Sequence, residues 1–232
     1  INGIGHYWGY RSYACADAST NIVPWGIIIG GEELHNNHHA YATSAKLSSR
    51  WYEFDIGWMY IRILAKLGLA DVRKVAPKLK RAQAKSAPDL ATLQAVITHR
   101  YHVATAYART LKTACAAELA ALRARAHKDD AIDLPSVGRV KRWLTTDPAG
   151  WSPIDREHME STVAKSQTLA KIVAMRSELA ALWERSTESS EQLLARLQDW
   201  CHRAESSGIP PLAQFSLQLR RYSYSVPGGA VR

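Results

Sequence analysis

From residue 90 onward the apolar positions recur at three- and four-residue spacing, the period at which side chains share one face of a helix. Leu90, Leu93, Val96, Ile97 and Tyr101 begin one stripe, which Leu111, Leu119 and Leu122 continue. Leu169, Ile172, Val173, Leu179, Leu182 and Trp183 form a second, and Leu193, Leu197, Trp200 and Cys201 a third. Asp89 is placed to cap the first helix, and Ser190, after Ser186 and Thr187, to cap the last. Between the stripes Pro135, Gly138, Pro148, Gly150 and Pro153 break residues 127–155 into loops or short helices. The pattern predicts a mainly α chain whose second part is an antiparallel helical hairpin or small bundle.

The upstream part is less periodic. Its apolar runs, Ile22 to Gly31 and Ile56 to Leu69, fall short of the roughly 18 residues of a spanning helix, and the second is interrupted by Arg62 and Lys66. Trp25, Trp51, Trp58 and Tyr60 suit anchoring at a membrane interface, and core packing is the competing account. Pro77 and Pro88 bracket a Lys/Ala-rich stretch that reads as a boundary. The expected organisation is therefore a first region over 1–76, a basic linker over 77–89, a helical region over 90–222 and a flexible tail over 223–232.

Composition adds three constraints. With 47% hydrophobic and 22% charged residues the chain has no signature of disorder. Its net charge of +9 is uneven: residues 1–76 carry +1 and the remainder +8, with Lys74, Lys78, Lys80, Arg81 and Lys85 as the densest cluster. Such a run is either a solvated linker face or an attraction to anionic head groups; no groove-reading motif accompanies it, so nucleic acid is not expected as a partner. Three widely separated cysteines, Cys15, Cys115 and Cys201, fit a reducing compartment and no zinc spacing.

The chemistry concentrates in Glu32-Glu33-Leu34-His35-Asn36-Asn37-His38-His39, with three imidazoles in five residues beside two carboxylates. On a helix His35, His38 and His39 leave one face within reach of one or two metals, His38 and His39 serving adjacent ions. The alternative is a solvated histidine tract. A fourth imidazole, His6, stands four residues after Asn2, again at one-face helical spacing. Asn is a poor iron ligand but a good anchor for a metal-bound water. One of Glu32 and Glu33 reads as acceptor for a ligand's ring N–H, against the plainer reading of both as helix-surface carboxylates. His99 and His102 lack a third ligand nearby and read as an ordinary surface or core pair.

The blocks N-G-I-G-H-Y-W-G-Y-R, D-A-S-T-N-I-V-P-W-G, G-G-E-E-L-H-N-N-H-H and W-Y-E-F-D-I-G-W, in that order, closely resemble the membrane-bound fatty acid desaturases of bacterial type, over about residues 1 to 75. His35, His38 and His39 match that family's last histidine box, His-x-x-His-His. The resemblance implies metal ligation by His6, His35, His38 and His39, with Asn2 acting through water. It implies two iron ions in a di-iron centre, which use dioxygen and two electrons to introduce a double bond, commonly Δ9, into an acyl-CoA or acyl-lipid substrate. Imidazole suits that chemistry, since an oxidant able to take hydrogen from a methylene requires ligands that resist oxidation better than cysteine or methionine.

The family's two earlier boxes, His-x-x-x-x-His and His-x-x-His-His, are missing here. The chain thus looks like the C-terminal cytoplasmic part of a helical membrane di-iron desaturase, incomplete and inactive alone, followed by the helical region. A separate electron donor of ferredoxin, rubredoxin or cytochrome type is implied, as is a place at the cytoplasmic face of the inner membrane. The alternatives are a di-iron fatty acid hydroxylase and a non-catalytic helical remnant acting in association. The helical part is similar to tails of some bacterial relatives, and its L-W-E-R-S and L-Q-D-W-C blocks resemble helical tails of certain transposases. Neither likeness assigns it an activity; docking, membrane-surface contact or homo-oligomerisation through its helices is the expectation.

Overall fold

The computed structural model describes residues 3–15, 17–125, 134–145, 151–184 and 187–224. The protein is mainly helical, as the periodicity predicts, and divides into two compact units, one up to Lys78 and one spanning Leu79–Tyr224. No helix among the described residues is long and apolar enough to cross a membrane.

The first unit is built from short elements. A 3-10 turn (Ile4–His6) is followed by strand β1 (Trp25–Gly26), a second 3-10 turn (Glu32–Leu34), helix α1 (His35–Ala40), strand β2 (Phe54–Asp55) and helix α2 (Ile56–Lys66). β1 and β2 run parallel with Trp25 opposite Phe54. Asp55 caps α2 by accepting from the Trp58 amide and also accepts from the amides of Leu47 and Ser48.

The interior of this unit is polar. Among its described residues Leu34, Ala40 and Cys15 are the buried apolar side chains, while Asn21, Glu33, His35, Asn36, Asn37, Glu53 and Asp55 are all buried. The burial is tolerable because these groups satisfy one another. Glu53 accepts from the Tyr10 hydroxyl, the Asn37 amide and the backbone amides of Ser49 and Arg50. Asn36 accepts from the amides of Ser12 and Tyr13 and donates to the carbonyls of Tyr13 and Ser19.

The second unit is a helical bundle. Its helices are α3 (Leu90–Thr98), α4 (Arg100–Arg125), α5 (Val137–Thr145), α6 (Pro153–Ala164), α7 (Gln167–Ala181), α8 (Ser190–Glu205) and α9 (Pro210–Leu219). The long α4 presents Val103, Tyr107, Leu111, Cys115, Leu119 and Leu122 to a core completed by Ile172, Leu179, Leu197, Trp200 and Phe215. The first predicted stripe is divided between two helices: α3 ends at Thr98, His99 lies at the break, and Leu90 is exposed. The last stripe is capped one residue earlier than expected, by Ser189, whose side chain and that of Gln192 form a reciprocal capping box; Ser190 is already helical. A two-residue antiparallel ladder joins strands β3 (Lys80–Arg81) and β4 (Tyr222–Ser223). Lys80 and Arg81, expected in a linker, thus tie one end of the bundle to the other. Pro148, Gly150, Ser186, His127 and the tail beyond Tyr224 lie outside the described residues.

Asp89 caps α3 as predicted, accepting from the Thr92 amide at 2.8 Å and from Lys85 Nζ at 2.7 Å. Burial works against its charge, but the bonds from Lys85 and Thr92 outweigh it and hold the carboxyl at about 2. A native pKa below the unfolded value contributes stability above that unfolded value and loses it as pH falls through the native one. Asp89→Ala is therefore expected to cost about 1 kcal/mol near neutral pH, the scale of an exposed N-cap. In urea titrations the difference from the parent should shrink as pH falls from about 4 towards about 2; a pH-independent difference would assign the loss to something other than the carboxylate.

Candidate metal centre

Helix α1 consists of the histidine box itself. His35 and His39 are one turn apart, and the 3-10 turn carrying His6 brings a third imidazole against them. His6 Nε2 and His35 Nε2 are 3.1 Å apart, and the ligand atoms of His6, His35 and His39 all lie within 4.8 Å of one another. Two imidazoles binding one ion tetrahedrally at about 2.0–2.1 Å would place their nitrogens about 3.3 Å apart, so the first pair already has a shared-ligand spacing. Among the described residues this is the only cluster of three histidine, cysteine or carboxylate side chains at metal-holding distance.

The intervening asparagines explain why the box is held so firmly. Asn36 and Asn37 point away from the metal face into the polar interior, where Asn37 pairs with Asn21 and Glu53. The His-Asn-Asn-His-His string therefore divides into ligand positions and anchoring positions.

His39 Nδ1 lies 2.6 Å from Asp17 Oδ2, which leaves Nε2 as the metal-facing atom. Burial raises the Asp17 pKa, but bonds from Ser19 and His39 bring it down to about 2, so the group is a carboxylate across the working range. His35 Nδ1 faces Glu32 at 3.6 Å and His38 Nδ1 faces the same side chain at 3.9 Å; neither nitrogen has a hydrogen-bond partner although both are buried. Burial, together with the neighbouring His39 and His6 rings, keeps the His35 pKa below the ordinary imidazole value, favouring the neutral, ligating form.

The predicted residues thus separate. His6, His35 and His39 come together. His38 stacks against His35 at 6.2 Å between centroids, outside the trio. Glu32 is the carboxylate beside the imidazoles; Glu33 is turned elsewhere, accepting from the amides of Ile28, Ile29 and Gly31. Asn2 lies outside the described residues. Spacing does not single out Asp17, which is 22 positions from its partner; its place at the head of the D-A-S-T-N block is the signal for it. His99 is buried at the α3–α4 junction, where burial lowers its pKa to about 4, and with His102 it joins no ligand cluster.

Exchange of Asp17 for asparagine should weaken metal binding about 10–100-fold, the usual cost of losing the partner that orients a ligating imidazole. Competition with a chromophoric chelator measures this, and an unchanged affinity would show that Asp17 serves only the local turn.

A family model described as a transposase, of the DDE ISL3 type, matches residues 62–227. The chain belongs to this transposase family. Before that match, the transposase-family chain carries the four blocks noted above, all ending by Trp58, and the curated proteins it is similar to include desaturases. It is 42% identical over 78 residues to the sn-1 stearoyl-lipid 9-desaturase of Anabaena variabilis, which is 34% of this chain and 29% of that protein. The Delta-9 acyl-lipid desaturase 1 of Arabidopsis thaliana is 38% identical over 85 residues, covering 36% of this chain and 28% of that protein. The icosanoyl-CoA 5-desaturase of Limnanthes douglasii is 37% identical over 86 residues, covering 37% and 24%. The matched stretch thus spans less than a third of each of these relatives. No solved structure matches the chain.

Proposed function

We propose that the first unit is the metal-holding C-terminal piece of an acyl-chain desaturase. The observation that carries this reading is the convergence of His6, His35 and His39, with carboxylates Asp17 and Glu32 behind two of the rings. The donor set suits iron: three imidazoles, no thiolate, and a buried His35 whose pKa lies below the ordinary imidazole value. In the whole enzyme two iron ions, completed by histidines of the two boxes missing from this chain, supply dioxygen- and electron-dependent removal of two hydrogens from an acyl chain. This chain's own residues would do narrower work. His6, His35 and His39 hold one ion, His38 faces the second, Asn2 anchors a bound water, and Asp17 and Glu32 orient rings. Glu33 keeps the turn preceding the box in place.

Acyl-lipids or acyl-CoA are the substrate class, a separate electron carrier the redox partner, and the cytoplasmic side of a membrane the location. The relatives' names include both carriers and both the 9 and 5 positions, so Δ9 chemistry is the finer part of the proposal. A hydroxylase would use the same imidazoles and is separated by product analysis of the full-length enzyme. The test available on this chain is a Co²⁺ titration followed by visible absorption. One equivalent bound at nitrogen supports the reading; a featureless spectrum with no stoichiometric uptake overturns it.

The transposase match favours a second reading for the helical unit, with nucleic acid as its partner, contrary to the expectation from motifs alone. Its net charge is favourable, but among the described residues it assembles no carboxylate cluster able to hold a metal. The part proposed for it is binding of nucleic acid through its basic surface. A salt-dependent shift of a duplex by the full chain is the corresponding measurement.

A further inference from the structure

The first unit is inverted: its interior is polar and its large apolar side chains are outside. α2 has no buried residue. Trp58, Ile61 and Ala65 are half-buried and face the unit, while Met59, Tyr60, Ile63, Leu64 and Leu67 form an exposed stripe along the opposite side. That is the apolar face of an amphipathic helix, left exposed among the described residues.

A second apolar element adjoins the stripe. Ile27, Ile28 and Ile29 project from the turn before Gly30 and Gly31, with Ile28 89% exposed. Gly31 has φ +104°, and a Cβ there would meet Asp55 Oδ1 at 2.6 Å; a Cβ on Gly57 would run into the Gly30 carbonyl oxygen. These two contacts press the isoleucine turn against the first turn of α2. The β1–β2 pair adds Trp25 and Phe54, both exposed, at the same end.

The segment that begins on α2 is rich in cations. From Arg62 to Lys78 there are five cations, Arg62, Lys66, Arg73, Lys74 and Lys78, against the single carboxylate Asp71. Arg62 and Lys66 flank the stripe on α2, while Arg73 and Lys74 line a cavity with Ile61 on the other side of the helix. The unit's other carboxylates are engaged by its own amides, hydroxyls or imidazoles.

We propose that α2 and the Ile27–Ile29 turn form a peripheral docking surface for an anionic lipid bilayer. The stripe lies at the acyl boundary, Trp25 and Tyr60 sit at head-group level, and the Arg/Lys border meets lipid phosphates. A bilayer fits better than a folded protein partner because the apolar elements are a helix side, flanked by Arg62 and Lys66, and a loop tip. The inference deepens the membrane side of the proposed function and does not need the metal: Ile63 and Leu67 are not metal ligands, so vesicle and Co²⁺ binding can fail separately.

The test is co-sedimentation of the full chain with vesicles of phosphatidylcholine alone or with about one third phosphatidylglycerol. The expected result is binding to the anionic vesicles only, weakened about five-fold by each of Arg62→Gln and Lys66→Gln. Ile63→Ser and Leu67→Ser should each weaken it about ten-fold or more. All four positions are exposed, and an unchanged far-UV circular-dichroism spectrum verifies folding. Failure to bind, equal binding to both vesicles, or a stable dimer lost in Ile63→Ser without vesicle binding would each overturn the proposal, the last assigning the stripe to a second copy.

Discussion

Replacing His35 by alanine should abolish stoichiometric Co²⁺ binding, lowering affinity by at least about 100-fold, whereas His38→Ala should change it by no more than about two- or three-fold. The contrast follows from geometry, because both residues belong to the same box. His35 is the central member of the trio: its ring lies 5.1 Å from His6 and 4.4 Å from His39, and its Nε2 is the atom nearest another ligand nitrogen. Without it only His6 and His39 of the trio remain, from separate elements with ring centroids 5.3 Å apart, and the three-ligand set is lost. Losing a ligand should cost more than the about 10–100-fold loss typical of an orienting partner. His38 lies outside the trio, and among the described residues it joins no second group of three ligands. Equal losses in the two variants would show that the ion sits across the whole box and that the trio is misassigned. Far-UV circular dichroism of both variants controls for folding.

The histidine box and the helical stripes were legible because each is local: residues three or four apart must share a helix face once a helix forms. Asp89 was legible for the same reason, a cap being read within four residues. The expected cap falls one residue late because Ser186, Thr187, Ser189 and Ser190 cluster around the start of α8, and only the reciprocal bond with Gln192 selects among them. The less legible part is tertiary. Nothing within a few residues of His39 announces Asp17, and nothing near Asn37 announces Glu53; both partnerships depend on loops closing over α1. The two accounts of the aromatics divide: Trp25, Trp51 and Tyr60 are exposed, which excludes core packing for them, while Trp58 is half-buried against its own unit. Periodicity also carried the first stripe through His99, because the break between α3 and α4 costs only one residue of register. The transposase relationship left only two short blocks visible, since a buried helical stripe is read equally well from any bundle.

In the helical unit the largest single loss of stability is expected at Trp200. Tyr107 of α4, Trp200 of α8 and Phe215 of α9 pack ring against ring with centroids 5.0–6.4 Å apart, all fully buried. Two of the rings also reach α7: the Trp200 indole donates to the Met175 carbonyl at 2.8 Å, and the Tyr107 hydroxyl to the Ile172 carbonyl at 2.6 Å. One aromatic cluster therefore joins four helices, and no other helix can move into its volume without breaking those bonds. Trp200→Ala should lower the unfolding free energy of the bundle by about 3–5 kcal/mol through lost burial and an unfilled cavity. That is a large fraction of the about 5–15 kcal/mol that stabilises a domain. Trp200→Phe keeps a ring against Phe215 but gives up the indole donor and some volume, and should cost about 1–2 kcal/mol. Urea titrations of the full chain followed at the helical circular-dichroism band separate the two. If alanine and phenylalanine cost the same, the bond to Met175 and not the ring packing holds α8 in place; if neither costs more than about 1 kcal/mol, the cluster is not the node that joins the helices.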